Sequence, residues 1–281
     1  MKKFCFNLII IILSLFLICE IIINYQYTME SVKFSFDIWK NNIFPSLFPF
    51  FVISNLLINY GFVEIISEFL KNIVSKLFKV NKNASFVLVM SLISGFPSNA
   101  KYTKELVDKN LLNEEEASKV LTFTHFSNPI FIVGTVASMF LNHKEVGVLI
   151  LLTHYFSNLI VGLIFRNYYP TEKKEKINVS NIYKNISTRN IKFGKVFFGA
   201  ISSSIETLLL ILGTVTFFLV LTTIINNIIN LNSYYQSILN GIIEMTQGLK
   251  YVGTLNVPLK IKTVLASMIL SFGGISVHMQ V

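Results

Sequence analysis

Charge is scarce in this chain. Only 14% of its 281 residues are Asp, Glu, Lys or Arg, roughly half the share of an ordinary soluble domain. Acidic groups are the scarcest, 15 against 24 Lys and Arg, which leaves a formal net charge of +9; Arg166 and Arg189 are the sole arginines. Cysteine is nearly absent. Cys5 and Cys19 share one apolar run and would lie about 21 Å apart on a helix rising 1.5 Å per residue. That is too far to pair, so a disulfide scaffold is excluded. The space is filled by apolar residues, 53% of the chain, in long runs rather than periodic stripes. This distribution excludes a disordered tail and a simple cytosolic enzyme, and implies an all-α polytopic membrane protein.

Enzyme signatures are missing as well. The chain has no H-E-x-x-H, no metal-spaced Cys/His cluster and no G-x-S-x-G. Gly95 to Lys101 looks like a phosphate loop only superficially, because Ala100 and Tyr102 stand where the second glycine and the Ser/Thr belong. The sequence therefore predicts no enzyme, no metal and no cofactor, leaving room only for a coupling proton or sodium ion.

Read along the chain, residues 1–37 predict an uncleaved transmembrane anchor, apolar from Phe4 to Ile23, and an external loop. Residues 38–165 predict a span bent at Pro45 and Pro49 and an amphipathic interfacial helix over Val63–Val80. They continue with a short hairpin over 84–111, a span over 117–141 broken at Ser127-Asn128-Pro129, and an unbroken span over 146–165. Ser or Asn before Pro is how a helix restarts. Residues 166–195 form a basic linker. Residues 196–281 predict a long helix over 196–229, a second hairpin over 238–255 and a span over 259–281 broken at Ser271-Phe272-Gly273-Gly274. Both hairpins are too short to cross a bilayer, so they are predicted to be re-entrant, with tips protected by protein or a water-filled cavity.

With a cytoplasmic N-terminus and both hairpins returning to the side they left, eighteen of the 24 Lys and Arg fall inside, as the positive-inside rule requires. The basic balance is then a topology signal, and nucleic acid is not an expected partner. The two halves also carry like parts in one order. Val120, Leu121 and Ser127 match Val264, Leu265 and Ser271 at a constant offset of 144 residues. The first tip, Ser94 to Asn99, matches the second, Glu244 to Gly248. An inverted repeat with paired broken helices points to secondary transport of a solute held near the midplane.

The residues expected to bind that solute are Ser94, Gly95, Ser98 and Asn99 at the first tip and Ser127 and Asn128 at the first break. At the second tip they are Glu244, Thr246, Gln247 and Gly248, and at the second break Ser271, Gly273 and Gly274. Half-helix N-termini suit an anion, and an ionisable residue at membrane depth, such as Glu244, is functional by default. Each has a plainer reading beside it. The glycines permit tight turns, Ser127 and Asn128 cap a helix, and Glu244 is wet if its hairpin is shallow. Lys101 reads as a solvated lysine, Glu206 as an interfacial group, His125 as a possible proton carrier and His154 as a packed histidine. Expected partners are a small anionic solute and the lipid bilayer, with a homo-oligomer left open.

Phe44-Pro45-Ser46-Leu47-Phe48-Pro49-Phe50-Phe51, Ser94-Gly95-Phe96-Pro97-Ser98-Asn99-Ala100-Lys101, Glu244-Met245-Thr246-Gln247-Gly248 and Ser271-Phe272-Gly273-Gly274 together resemble the nucleoside-recognition (Gate) domain membrane proteins. Within these, the likeness is greatest to the sporulation integral membrane proteins, and it runs from about Ile38 to Val281. The resemblance implies a fold similar to concentrative nucleoside transporters. For the sporulation branch it implies movement of dipicolinate in the cell membrane or outer forespore membrane. Family members continue beyond a second broken span, so the sequence, ending at Val281, reads as C-terminally truncated. A non-transporting sporulation scaffold and a nucleoside transporter are the alternatives.

Overall fold

The computed structural model describes residues 2–169 and 192–280. Most of the predicted basic linker, residues 170–191, lies outside them. Among the described residues the fold is helical throughout, without a strand. Five helical stretches among the described residues are long and apolar enough to cross a membrane.

Helix α1 (Lys2–Ile23) has an apolar surface open along its whole length, from Phe4 to Ile23. Helix α2 (Tyr25–Asn59) covers the stretch predicted as an external loop. Its polar sequence misleads because its hydroxyls face another helix. Ser31 Oγ lies 2.7 Å from Thr223 Oγ1 and Ser35 Oγ 2.7 Å from Thr216 Oγ1, while Trp39 Nε1 donates to Leu208 O at 2.8 Å. All three partners lie on α9 (Phe193–Ile228). Small hydroxyl residues let membrane helices approach closely and bond across the seam. Over Trp39–Ile43 the helix widens into a π turn. Pro45 follows, whose ring would clash with the carbonyl four residues back in a regular α-helix. Below that turn Leu47 and Phe51 pack on Leu208, Ile211, Val215 and Leu219.

Helix α3 (Phe62–Leu77) starts at Gly61 and matches the predicted amphipathic segment. Helices α4 (Ala84–Ser94) and α5 (Ser98–Asp108) form a helix–turn–helix around Gly95–Pro97. Helix α6 (Glu114–Phe123) opens on Asn113, whose side chain accepts the Glu116 N–H at 2.7 Å, with three glutamates in a first turn where the helix dipole favours them. The backbone leaves the helix over residues 124–128 and resumes at 129, π-wound through α7 (Phe131–Phe140). Helix α8 (Glu145–Ile164) is unbroken.

After α9 come the pair α10 (Ser233–Ile243) and α11 (Met245–Thr254), then α12 (Leu259–Phe272) and α13 (Gly274–His278), joined at Gly273. One core, with Phe86, Phe123 and Phe126, lies within the first half. Another joins the halves, packing Phe131, Ile132 and Val136 with Met245, Leu249, Leu265 and Leu270.

Candidate functional site

The α4–α5 turn is seated on the first break by its glycine. Gly95 has φ +75° and ψ −177°, a region open essentially only to glycine. A Cβ there would lie 2.3 Å from the backbone nitrogen of Asn128. Asn128 clamps the junction from the other side. Its Oδ1 accepts the N–H groups of Ile130 at 2.8 Å and Phe131 at 3.1 Å, and its Nδ2 donates to Ser94 O at 3.1 Å. One side chain thus satisfies the start of α7 and the end of α4, groups that would otherwise be orphaned.

The second half solves the same problem with the roles exchanged. Here the glycine sits on the broken span: Gly274, φ +75°, would place a Cβ 2.9 Å from the backbone nitrogen of Met245. Glu244 supplies the cap. Its Oε2 accepts the N–H of Gln247 at 2.7 Å, so a carboxylate already occupies the N-terminus of α11. The two arms of this pair touch backbone to backbone, because a Cβ on Gly248 would fall 2.2 Å from Gly241 Cα.

These junctions converge on one cleft. Its walls are Phe96 and Pro97 from the first turn, Ser127 and Asn128 from the first break, and Glu244 and Thr246 from the second turn, with Val277 and Gln280 at the chain's end. The remaining wall is mostly apolar and was not anticipated: Ile43 and Leu47 of α2, with Ser46 between them, and Ile211 and Val215 of α9. The Pro-bent part of α2, around Pro45 and Pro49, was the signal that could have found it. Glu244 is buried, only 1% exposed, and Thr246 is 2% exposed.

Of the other predicted residues, none is a wall of the cleft; they stand behind it. Ser94, Gly95 and Ser98 build the first turn, with the Ser98 N–H donating to Gly95 O at 3.0 Å. Gln247, Gly248 and Gly274 brace the second. Ser271 faces His154 Nδ1 at 3.4 Å, and a Cβ on Gly273 would meet His125 Nε2 at 2.9 Å. Asn99 is fully buried, and neither of its amide atoms has a hydrogen-bond partner. Asn240, one turn before Glu244, is in the same state and was missed in the sequence. Buried polar groups with unused capacity are exceptional in native folds.

His125 stacks between Phe96, at 4.8 Å, and His278, at 5.6 Å between ring centres. Lys101 is not a solvated lysine. Its Nζ donates to Thr207 Oγ1 at 3.2 Å and Ser203 O at 3.3 Å and lies 5.0 Å from the Phe51 ring centre, tying α5 to α9. Glu206 is exposed on α9, away from the cleft walls.

The model of the nucleoside recognition (Gate) family matches residues 42–144, which hold the bent part of α2, the first turn and the first break. The sporulation integral membrane protein YlbJ of Bacillus subtilis (strain 168) is 32% identical over 304 aligned residues, covering 98% of this chain and 74% of YlbJ. The chain belongs to this family of sporulation integral membrane proteins. The YlbJ alignment extends well past the Gate match, so the second turn, the second break and α9 lie within the shared region too. No solved structure matches. Family membership and the five apolar stretches identify an integral membrane protein.

Proposed function

We propose that this protein is a secondary transporter of a small polar or anionic solute, and that dipicolinate, an aromatic dicarboxylate, is the solute to test first. The observation that carries this reading is the convergence of both helix–helix turns and the first break on one largely apolar cleft that carries a few polar groups, Ser127, Asn128, Glu244 and Thr246. Interrupted helices meeting at a cavity supply exposed backbone groups for a solute, and elements that can rock against one another. In this reading the halves are inverted repeats, and the turns at Gly95 and Glu244 are tips of re-entrant hairpins entering from opposite faces. The N-terminus is cytoplasmic, and the membrane is the cell membrane or the outer forespore membrane. The sporulation name of the relative agrees with such a role, and dipicolinate enters from the family resemblance.

Glu244 narrows the mechanism. Two like charges about 4 Å apart repel by about 4 kcal/mol at an effective dielectric of 20. A carboxylate solute and an ionised Glu244 therefore do not share the cleft, so Glu244 holds a proton while the anion is bound. The solute and the proton then travel together. The same carboxylate favours one second reading, a neutral nucleoside whose hydroxyls donate to Glu244, and the Gate description agrees with it.

Uptake into proteoliposomes of the full chain separates these readings. Radiolabelled dipicolinate entering faster down an acid gradient supports the first, and uridine or adenosine entering in its place supports the second. If neither solute is carried, the transport reading loses most of its support.

A further inference from the structure

We infer that the cleft selects a planar aromatic ring, and that Phe96 is the side chain that recognises it. The inference rests on the cleft being the solute's site, and it holds for an aromatic carboxylate and for a nucleobase alike.

The make-up of the walls carries the argument. Most are apolar, among them Phe96, Phe131, Ile211, Val215, Met245 and Val277, and the polar groups are few. Among the described residues, no lysine, arginine or histidine stands in these walls. A carboxylate finds no opposite charge there, so binding energy has to come from the body of the solute, by covering the apolar walls. An aliphatic chain covers them at the cost of ordering its rotatable bonds. A rigid ring has none to order.

Phe96 is placed to meet such a ring. Its N–H donates to Phe126 O at 2.6 Å, which fastens the first turn to the first break. One face of its ring is stacked on His125, 4.8 Å between ring centres and 22° between planes. His125 is stacked in turn on His278, with planes 2° apart. Two rings thus back Phe96 and restrict its side chain, and it offers the cleft the part of its ring that lies away from His125. Phe131 stands in the same walls. Aromatic pairs contribute beyond the area they bury, in offset-stacked and in edge-to-face contact alike. A solute ring therefore gains here what a saturated ring of the same size does not.

Isothermal titration calorimetry of the full chain in neutral detergent tests this with two pairs of solutes, each an aromatic ring and its saturated counterpart. The pairs are isophthalate with cis-cyclohexane-1,3-dicarboxylate, and uridine with 5,6-dihydrouridine. The aromatic member of at least one pair should bind about fivefold more tightly, the scale of one ring–ring contact. Phe96→Leu, and Phe96→Met as a second filling of the same space without a ring, should remove that preference. Because the ratio is taken within one variant, a general loosening of the packing moves both members together. Phe198→Leu, which removes an exposed ring elsewhere on α9, should leave the ratio unchanged. Equal affinities within both pairs, binding of none of the four solutes, or a preference that survives in both Phe96 variants would overturn the inference. Uptake judges transport separately. A solute carried without ring preference overturns this inference and leaves transport standing, and a ring preference without uptake does the reverse.

Discussion

His154 accepts the backbone N–H of Ser127 through Nε2 at 2.9 Å. An imidazole that accepts at Nε2 carries its hydrogen on Nδ1 and is neutral. Its Nδ1 then points to Ser271 Oγ, 3.4 Å away. Ser127 and Ser271 are the residues that align between the two halves of the sequence, and one side chain on unbroken α8 reaches both. The two broken spans are tied together through an unbroken helix of the first half, His154 reaching Ser127 on one and Ser271 on the other.

His154→Leu leaves the buried Ser127 N–H without its acceptor. A loss of about 1–3 kcal/mol is expected, read as a lower unfolding temperature in detergent. Ser271→Ala removes only the long second contact, which is weak at that distance, and should lower the temperature less. The reverse order would mean that the Ser127 bond is not what His154 contributes.

Gly95→Ala should be among the most damaging single-methyl changes in the chain. The backbone region alone costs about 1–3 kcal/mol for a non-glycine residue, and the added carbon collides with Asn128. Gly213→Ala, where nothing lies within 4 Å of the new carbon, is the matched control and should leave folded yield and melting unchanged.

Glu244→Gln retains an oxygen for the Gln247 N–H, so thermal stability should stay close to that of the parent. Glu244→Ala removes the cap and should lose about 1 kcal/mol. On the transport reading the Gln variant also loses acceleration by an acid gradient while still binding the solute. Uptake that keeps its full pH response in this variant would place the proton elsewhere.

The α2–α9 seam lends itself to a double-mutant cycle. Ser35→Ala and Thr216→Ala each remove one side of a single hydrogen bond. Such interhelical bonds in membrane proteins contribute about 0.6 kcal/mol on average. A coupling energy of that size is expected from unfolding measurements, and a value near zero would mean that packing alone holds the seam.

Local sequence rules reached the helices whose signals are local. Asn113 before three glutamates announces a helix start, and α6 begins there. Ser127-Asn128-Pro129 announces a restart, and the helix resumes at 129. The same rules failed on residues 25–37, because Ser31 and Ser35 look loop-forming until Thr223 and Thr216 are brought opposite them. They also misjudged Lys101, whose carbonyl and hydroxyl partners come from about a hundred residues away. The apolar cleft wall from α2 and α9 was hidden for a related reason: Ile211 and Val215 look like any other residues of an apolar helix.

By itself, the sequence determined that this is an all-helical membrane protein with interrupted helices at Gly95, Ser127, Glu244 and Gly273. Apolar run length and Gly, Pro and Asn punctuation act through bonds within a few residues. Tertiary structure alone decided which interruptions meet, that Asn128 and Glu244 are employed as caps, and that His154 joins the two breaks. Those contacts depend on chain crossings between distant segments, and their hydrogen-bond geometry exists only once the helices have packed.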